Sequence, residues 1–268
     1  MSTAAEGNKA KTARRVIEVL EFFDEQNRQA TVMDIVRRYN RPQSSTSELL
    51  ASLVELGLLY KEPGQRLYTL TPRAAILGSI SQPRLLRDGS LSTLIDRLVA
   101  QTGLGVALFG MVGLNAQIFR WTAGAKHPPR DAGEPRNGVQ TPLCDSAAGQ
   151  LLLSTIRAER RAGVIRRLNA EAPEDHKFSY PDMSRTVQDL GRQGFAIGPA
   201  CPEGAAEMAA IFVPNDPGDR PMVLGFIYEP NPEIDPEALI ALLQKSAQRC
   251  IVPPTNDGAE PVAISSAA

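Results

Sequence analysis

Residues 43–70, QSSTSELLASLVELGLLYKEPGQRLYTL, decide the fold of the N-terminal third. Leu49, Leu50, Leu53, Val54 and Leu56 recur at helical spacing as an apolar stripe, while Gln43, Ser44, Ser45, Ser47, Glu48 and Ser52 fall on the opposite side. Gly57 stops the run, and two short Leu- and Tyr-rich strands follow, joined by a turn at Pro63 and Gly64. Upstream, Thr31 with Asp34 three residues later is a capping-box pattern that opens a short helix burying Ile35, Val36 and Tyr39, which Asn40 and Pro42 break. Further upstream, Val16, Ile17, Leu20 and Phe23 alternate with Glu18, Glu21, Asp24 and Glu25 as an amphipathic helix requires. Three helices followed by a hairpin make a winged helix-turn-helix over residues 12–73, preceded at 1–11 by a small, polar stretch expected to be a disordered tail.

Residues 74–90 read as a linker helix interrupted at Pro83 and Gly89. An α+β domain is expected over 91–250. It opens with a helix marked by Leu91, Leu94, Ile95, Leu98 and Val99 and stopped by Gly103, and continues with a hairpin, LGVALFGMV and AQIFRW. Helices are expected at 145–155, 157–169 and 182–193, the last capped by Asp182, and strands at 194–198, 207–213 and 221–228. Asp235-Pro236-Glu237 opens a final helix to about Cys250, and 251–268 reads as a second disordered tail.

The composition narrows the function classes. Over 268 residues, 29 basic against 30 acidic side chains exclude a protein that binds polyanions merely by being basic, so any nucleic-acid site must be local. Residues 1–80 hold 11 basic and 9 acidic side chains, which places the positive excess N-terminally. Cys144, Cys201 and Cys250 are odd in number and too far apart for a Cys-x-x-Cys metal site, as a reducing cytoplasm allows. The absence of an apolar signal segment and of any long apolar run indicates neither secretion nor membrane insertion. No cofactor is expected: TGLGVALFG lacks the G-x-G-x-x-G pattern, and no His, Cys and carboxylate cluster has metal spacing.

In a helix-turn-helix the last helix enters the major groove, so its outward side chains must be short polar groups or cations. Gln43, Ser44, Ser45, Thr46 and Ser47 meet that description; Gln43 suits an adenine edge and the hydroxyls suit phosphates at a helix N-terminus. Arg37, Arg38 and Arg41 flank the helix as phosphate contacts, and Arg66, beyond the hairpin turn, can reach an adjacent minor groove. The same Ser and Thr run also reads as capping, and the Arg pair as a solvated face; the surrounding architecture favours the DNA reading.

Several stretches, in order, resemble the IclR family of bacterial transcriptional regulators from about Thr12 to Cys250. They are ARRVIEVLEFF, PQSSTSELLASLVELGLL, QRLYTLTPRAAILGS, GVQTPLCDSAAGQLLLS and GRQGFAIGPACPEGAAEMAAIFVP. The resemblance implies a winged helix joined by a linker helix to a GAF-like effector-binding domain, and homodimers, or dimers of dimers, on double-stranded operator DNA, more often as repressors of catabolic genes. Glu48 stands where that family commonly has a basic residue, Cys144 replaces a usual His and Gln150 a usual Lys.

The resemblance also places an effector pocket where Cys144, Asp145 and Ser146 meet the next helix, with the amides of Ala147, Ala148 and Gly149 as carboxylate donors. Glu207, Phe226 and Tyr228, joined by Trp121, complete its lining. Two or three aromatics favour an aromatic or other bulky carboxylic metabolite; each aromatic reads equally as core, and the helix start as plain capping. Two further functions stand behind the regulator. One is a ligand-binding or interaction module that has lost specific DNA binding, suggested by Glu48. The other is a Cys-dependent hydrolase using Cys144 with His127 or His176.

Overall fold

The computed structural model describes residues 3–24, 27–79, 84–129, 135–214, 216 and 218–251. The chain folds as two compact units, Met1–Gln82 and Pro83–Ala268. The stretch expected as the C-terminal tail lies, after residue 251, outside the described residues.

In the first unit, helix α1 (Thr3–Phe22) precedes α2 (Val32–Tyr39), α3 (Gln43–Glu55) and the antiparallel hairpin β1 (Leu59–Lys61) and β2 (Tyr68–Leu70). Helix α1 starts at Thr3 and so takes in most of the stretch expected as a tail; its alanines and lysines are good helix formers and no proline interrupts them. Val19, Ala30, Ile35, Leu50, Leu53, Leu59 and Tyr68 form one core, which ties all three helices to the hairpin. Ala30 exchanges two backbone hydrogen bonds with Tyr68 and so extends the hairpin by one bridge. Helix α4 (Pro72–Ser79) follows.

The second unit opens with α5 (Arg84–Arg87) and α6 (Ser90–Thr102); of the stretch expected as a linker helix over 74–90, residues 80–83 lie outside the described residues. Its sheet consists of β3 (Gly105–Val112), β4 (Asn115–Thr122), β5 (Gln140–Pro142), β6 (Phe195–Pro199), β7 (Glu207–Phe212) and β8 (Met222–Tyr228), in the antiparallel order β5-β4-β3-β8-β7-β6. Helices α7 (Ala147–Ser154), α8 (Ala158–Glu171) and α9 (Tyr180–Gln193) cover one face; α6 and α10 (Pro236–Ile251) cover the other. Helix α9 begins two residues before the expected cap. Ser179 is its N-cap residue and Asp182 lies in the first turn, because Pro181 is tolerated there and does not delay the start. The sheet is therefore buried on both faces, and β8, at its centre, has every side chain buried. Among the described residues no helix is long and apolar enough to cross a membrane.

The start of α2 is fixed by a reciprocal cap. Asp34 accepts from the Thr31 N–H at 2.8 Å and from the Thr31 hydroxyl at 2.7 Å, while the Asp34 N–H donates to Thr31 Oγ1 at 3.3 Å. The two bonds from Thr31 hold the Asp34 carboxyl below its ordinary value of 3.8. A depressed folded pKa contributes stability that is fully present above 3.8 and is lost as pH falls through the lower folded value. Thr31→Ala is expected to cost about 1 kcal/mol in urea unfolding at pH 7. It also returns Asp34 toward its ordinary pKa, so the variant's deficit should shrink as unfolding is repeated at progressively lower pH.

Candidate functional site

In the first unit, α2 ends at Asn40, whose left-handed conformation (φ 49°) turns the chain through Arg41 and Pro42 into α3. This is the turn of a helix-turn-helix. Helix α3 buries Thr46, Leu50 and Leu53 and exposes Gln43, Ser44, Ser47, Glu48, Ala51, Ser52 and Glu55. Gln43, Ser44 and Ser47 thus occupy the outward face expected of groove contacts. Thr46 does not. It is 2% exposed and its hydroxyl donates to the Pro42 carbonyl at 2.9 Å, since residue 46 lies one turn before the buried Leu50.

Two other expected contacts are committed internally. Arg41 Nη2 donates to both carboxylate oxygens of Glu18, at 2.8 and 3.0 Å, and so ties the turn to α1. Ser45 donates to the Pro42 carbonyl at 3.2 Å and accepts from Arg15 Nη2 at 2.7 Å. Arg37 and Arg38 are exposed in the last turn of α2, where positive charge also complements the helix dipole, and Arg66 is exposed on the hairpin turn.

The Arg15 contact is the one the sequence reading missed. It sets a guanidinium from α1 at the N-terminus of α3, where the helix dipole already carries partial positive charge. Neither charge favours the other, and an anion bound there would be attracted by both. Arg14 and Lys11, also exposed, lie on the same helix. The signal was present in the run KAKTARR at 9–15, but its neighbour across the turn could not be read from spacing.

In the second unit a small cleft, open to solvent, lies on the sheet face that α7 to α9 cover. Phe109, Ile118, Thr141, Ala206 and Ile227 line it from the sheet side. Pro129, Pro135, Val139, Ala200 and Cys201 line it from the loops. Burial pushes the Cys201 thiol up, and it donates to the Glu203 carbonyl. Among the described residues no cationic side chain lines the cleft.

The expected pocket residues sit elsewhere. Phe226 and Tyr228 do share a face of β8, but it is the opposite face, packed under α6 and α10, where they are 0% and 1% exposed. Glu207 pairs with Tyr228 across the sheet and shares the parity of Ala209 and Ile211, which belong to that same core. Its charge, after burial itself, raises the Tyr228 hydroxyl to about 12. Trp121 packs on the cleft's face of the sheet but covers Gly105 and is not among the cleft walls.

At the start of α7, Cys144, Ser146, Ala147, Ala148 and Gly149 are buried, and the Ala148 and Gly149 N–H groups have partners within the chain. Ser146 caps the helix by accepting from the Gly149 N–H at 3.1 Å, the Ala148 N–H meets Met208 Sδ at 3.1 Å, and Gln150 donates to the Cys144 carbonyl. Gly149 is needed because a Cβ there would stand 2.5 Å from the Leu143 carbonyl oxygen. Asp145 is half-buried, and burial raises its carboxyl against the opposing charge of His176. Burial and the charge of Asp145 push the Cys144 thiol up to about 12.

Residues 12–63 match the family described as the IclR helix-turn-helix domain. No curated protein matches the chain. Among solved structures, an IclR homologue from Microbacterium hydrocarbonoxydans complexed with 4-hydroxybenzoate superposes with a TM-score of 0.57 at 18% identity, covering 89% of this chain and 97% of its own. An IclR transcriptional regulator from Alicyclobacillus acidocaldarius gives 0.55 at 21%, covering 90% and 96%. The Thermotoga maritima IclR gives 0.54 at 15%, covering 90% and 96%.

Substitutions separate the two kinds of arginine. Arg15→Ala is expected to lower the slope of log affinity against log salt on duplex DNA by roughly 0.9, one phosphate's worth. Arg41→Ala should instead lower the melting temperature, with the slope unchanged for whatever protein remains folded. Residues 12–63 are thus an IclR-type helix-turn-helix domain, and the chain shares the fold of these solved structures over 89–90% of its length.

Proposed function

We propose that this protein is a ligand-responsive repressor that binds operator DNA as a homodimer in the cytoplasm, with a dimer of dimers as the next assembly. The observation that carries the DNA reading is the outward face of α3: Gln43, Ser44 and Ser47 exposed beside Arg15, with Arg37, Arg38 and Arg66 at its flanks. Dimerisation is supported by Ile17 on α1 and by Ile76 and Leu77 on α4, all more than half exposed although large and apolar. The effector is an aromatic or other bulky metabolite of the genes controlled, held in the cleft beside α7. Such a molecule acts by binding one arrangement of the paired recognition helices better than the other, and shifts the population by that difference.

A second reading, an interaction module without specific DNA binding, draws on Glu48 and Glu55, the charged residues of α3's exposed face. Fluorescence anisotropy on the DNA upstream of the protein's own gene, against excess nonspecific duplex, separates the two. The regulator predicts saturable binding that survives competitor and falls steeply with salt, and a Gln43→Ala variant whose preference over competitor drops by roughly tenfold, about 1 to 3 kcal/mol for a lost base contact. Affinity equal to that for the competitor, with the variant unchanged, would establish the module reading instead.

A further inference from the structure

Glu48 stands almost directly opposite the buried side of α3. At about 100° per residue it lies within roughly 15° of the line facing away from the stripe of Thr46, Leu50 and Leu53. It is the sixth residue of the helix, in the N-terminal half that meets base edges in a helix-turn-helix. Its exposed neighbours Ser44, Ser47, Ala51 and Ser52 are all small, so a groove can close on the helix while the longer Glu48 reaches past them. Ser52 moreover turns its hydroxyl back to the Glu48 carbonyl at 3.0 Å. Among the described residues no ion pair involves the Glu48 carboxylate.

A carboxylate so placed has one use in a major groove. The phosphates along the groove's rims repel it, so it gains nothing from the backbone. Base edges on the floor are different. An ionised carboxylate only accepts, and the donors offered there are the amines of cytosine and adenine. Adenine sets the N7 acceptor beside its amine, which repels the carboxylate, whereas cytosine carries no ring acceptor on that edge. We propose that Glu48 is a specificity-determining residue that selects a cytosine in each half-site by accepting from its amine. Resting on the reading of the protein as an operator-binding regulator, this assignment adds a base preference to it. Affinity then comes from the arginines around α3, and discrimination from the acid at its centre.

Selection of bound duplexes from a random-sequence library by the full chain, followed by anisotropy on the selected site and its single-pair variants, tests the assignment. The wild-type protein should favour C·G over the other pairs by roughly tenfold at one position of each half-site. Glu48→Ala should remove that preference and keep those at the remaining positions. Glu48→Gln should move it to A·T at the same position, because a side-chain amide pairs with both N6 and N7 of adenine. Residue 48 is exposed, so both substitutions leave the fold intact. A selected operator whose preferences are the same in Glu48→Ala and the wild type overturns the role of Glu48 and leaves the regulator standing. Loss of preference at every position at once in Glu48→Ala does the same, as does dependence on residue 48 where the selected base is not cytosine. A library from which the wild-type protein selects no sequence overturns the regulator reading itself, and this assignment with it.

Discussion

Burial of the six-stranded sheet on both faces is the constraint from which the architecture of the second unit follows. A strand packed on one side can turn polar residues to water; β8, with all seven residues buried, cannot. Each of its side chains must join the core under α7 to α9 or the one under α6 and α10, and the alternation of the chain allots them in turn. Ile227 falls on the side of the cleft, and Phe226 and Tyr228 on the side of the solid core. A shift of one residue in register would exchange the two sets and place the aromatics in the cleft.

The same economy governs polar groups around α7. A helix start is often an anion site because its first N–H groups lack partners. Here a methionine sulfur and a serine cap take two of them, at Ala148 and Gly149.

In the DNA-binding unit, charges of one kind serve two ends. Arg41 neutralises Glu18 and fixes the turn against α1, whereas Arg15 donates to Ser45 and, among the described residues, has no carboxylate as a hydrogen-bond partner. An arginine locked by a carboxylate contributes to the fold, and one held by a neutral hydroxyl keeps its charge available to a phosphate. The positive potential around α3 accordingly comes from α1, α2 and the wing, because the helix itself carries no cationic side chain.

By itself the sequence determined most of the elements and their order, though neither β5 nor the start of α1. The leucine stripe of 49–56, the Thr31 and Asp34 cap, the Pro63-Gly64 turn and the left-handed glycines at 103 and 194 are local signals, legible because helix and turn formation depend on residues a few positions apart. It also placed Gln43, Ser44 and Ser47 on an outward face, since a helix's buried stripe fixes its opposite side. Only the tertiary structure decided which arginine was taken by Glu18, that Thr46 turned inward to Pro42, and which face of β8 met open space. Those outcomes depend on partners 23 residues away, as for Arg41 and Glu18, or on helices packed over a sheet. A strand apolar at every position carries no mark of which side will be filled, because the helices that fill it lie elsewhere in the chain.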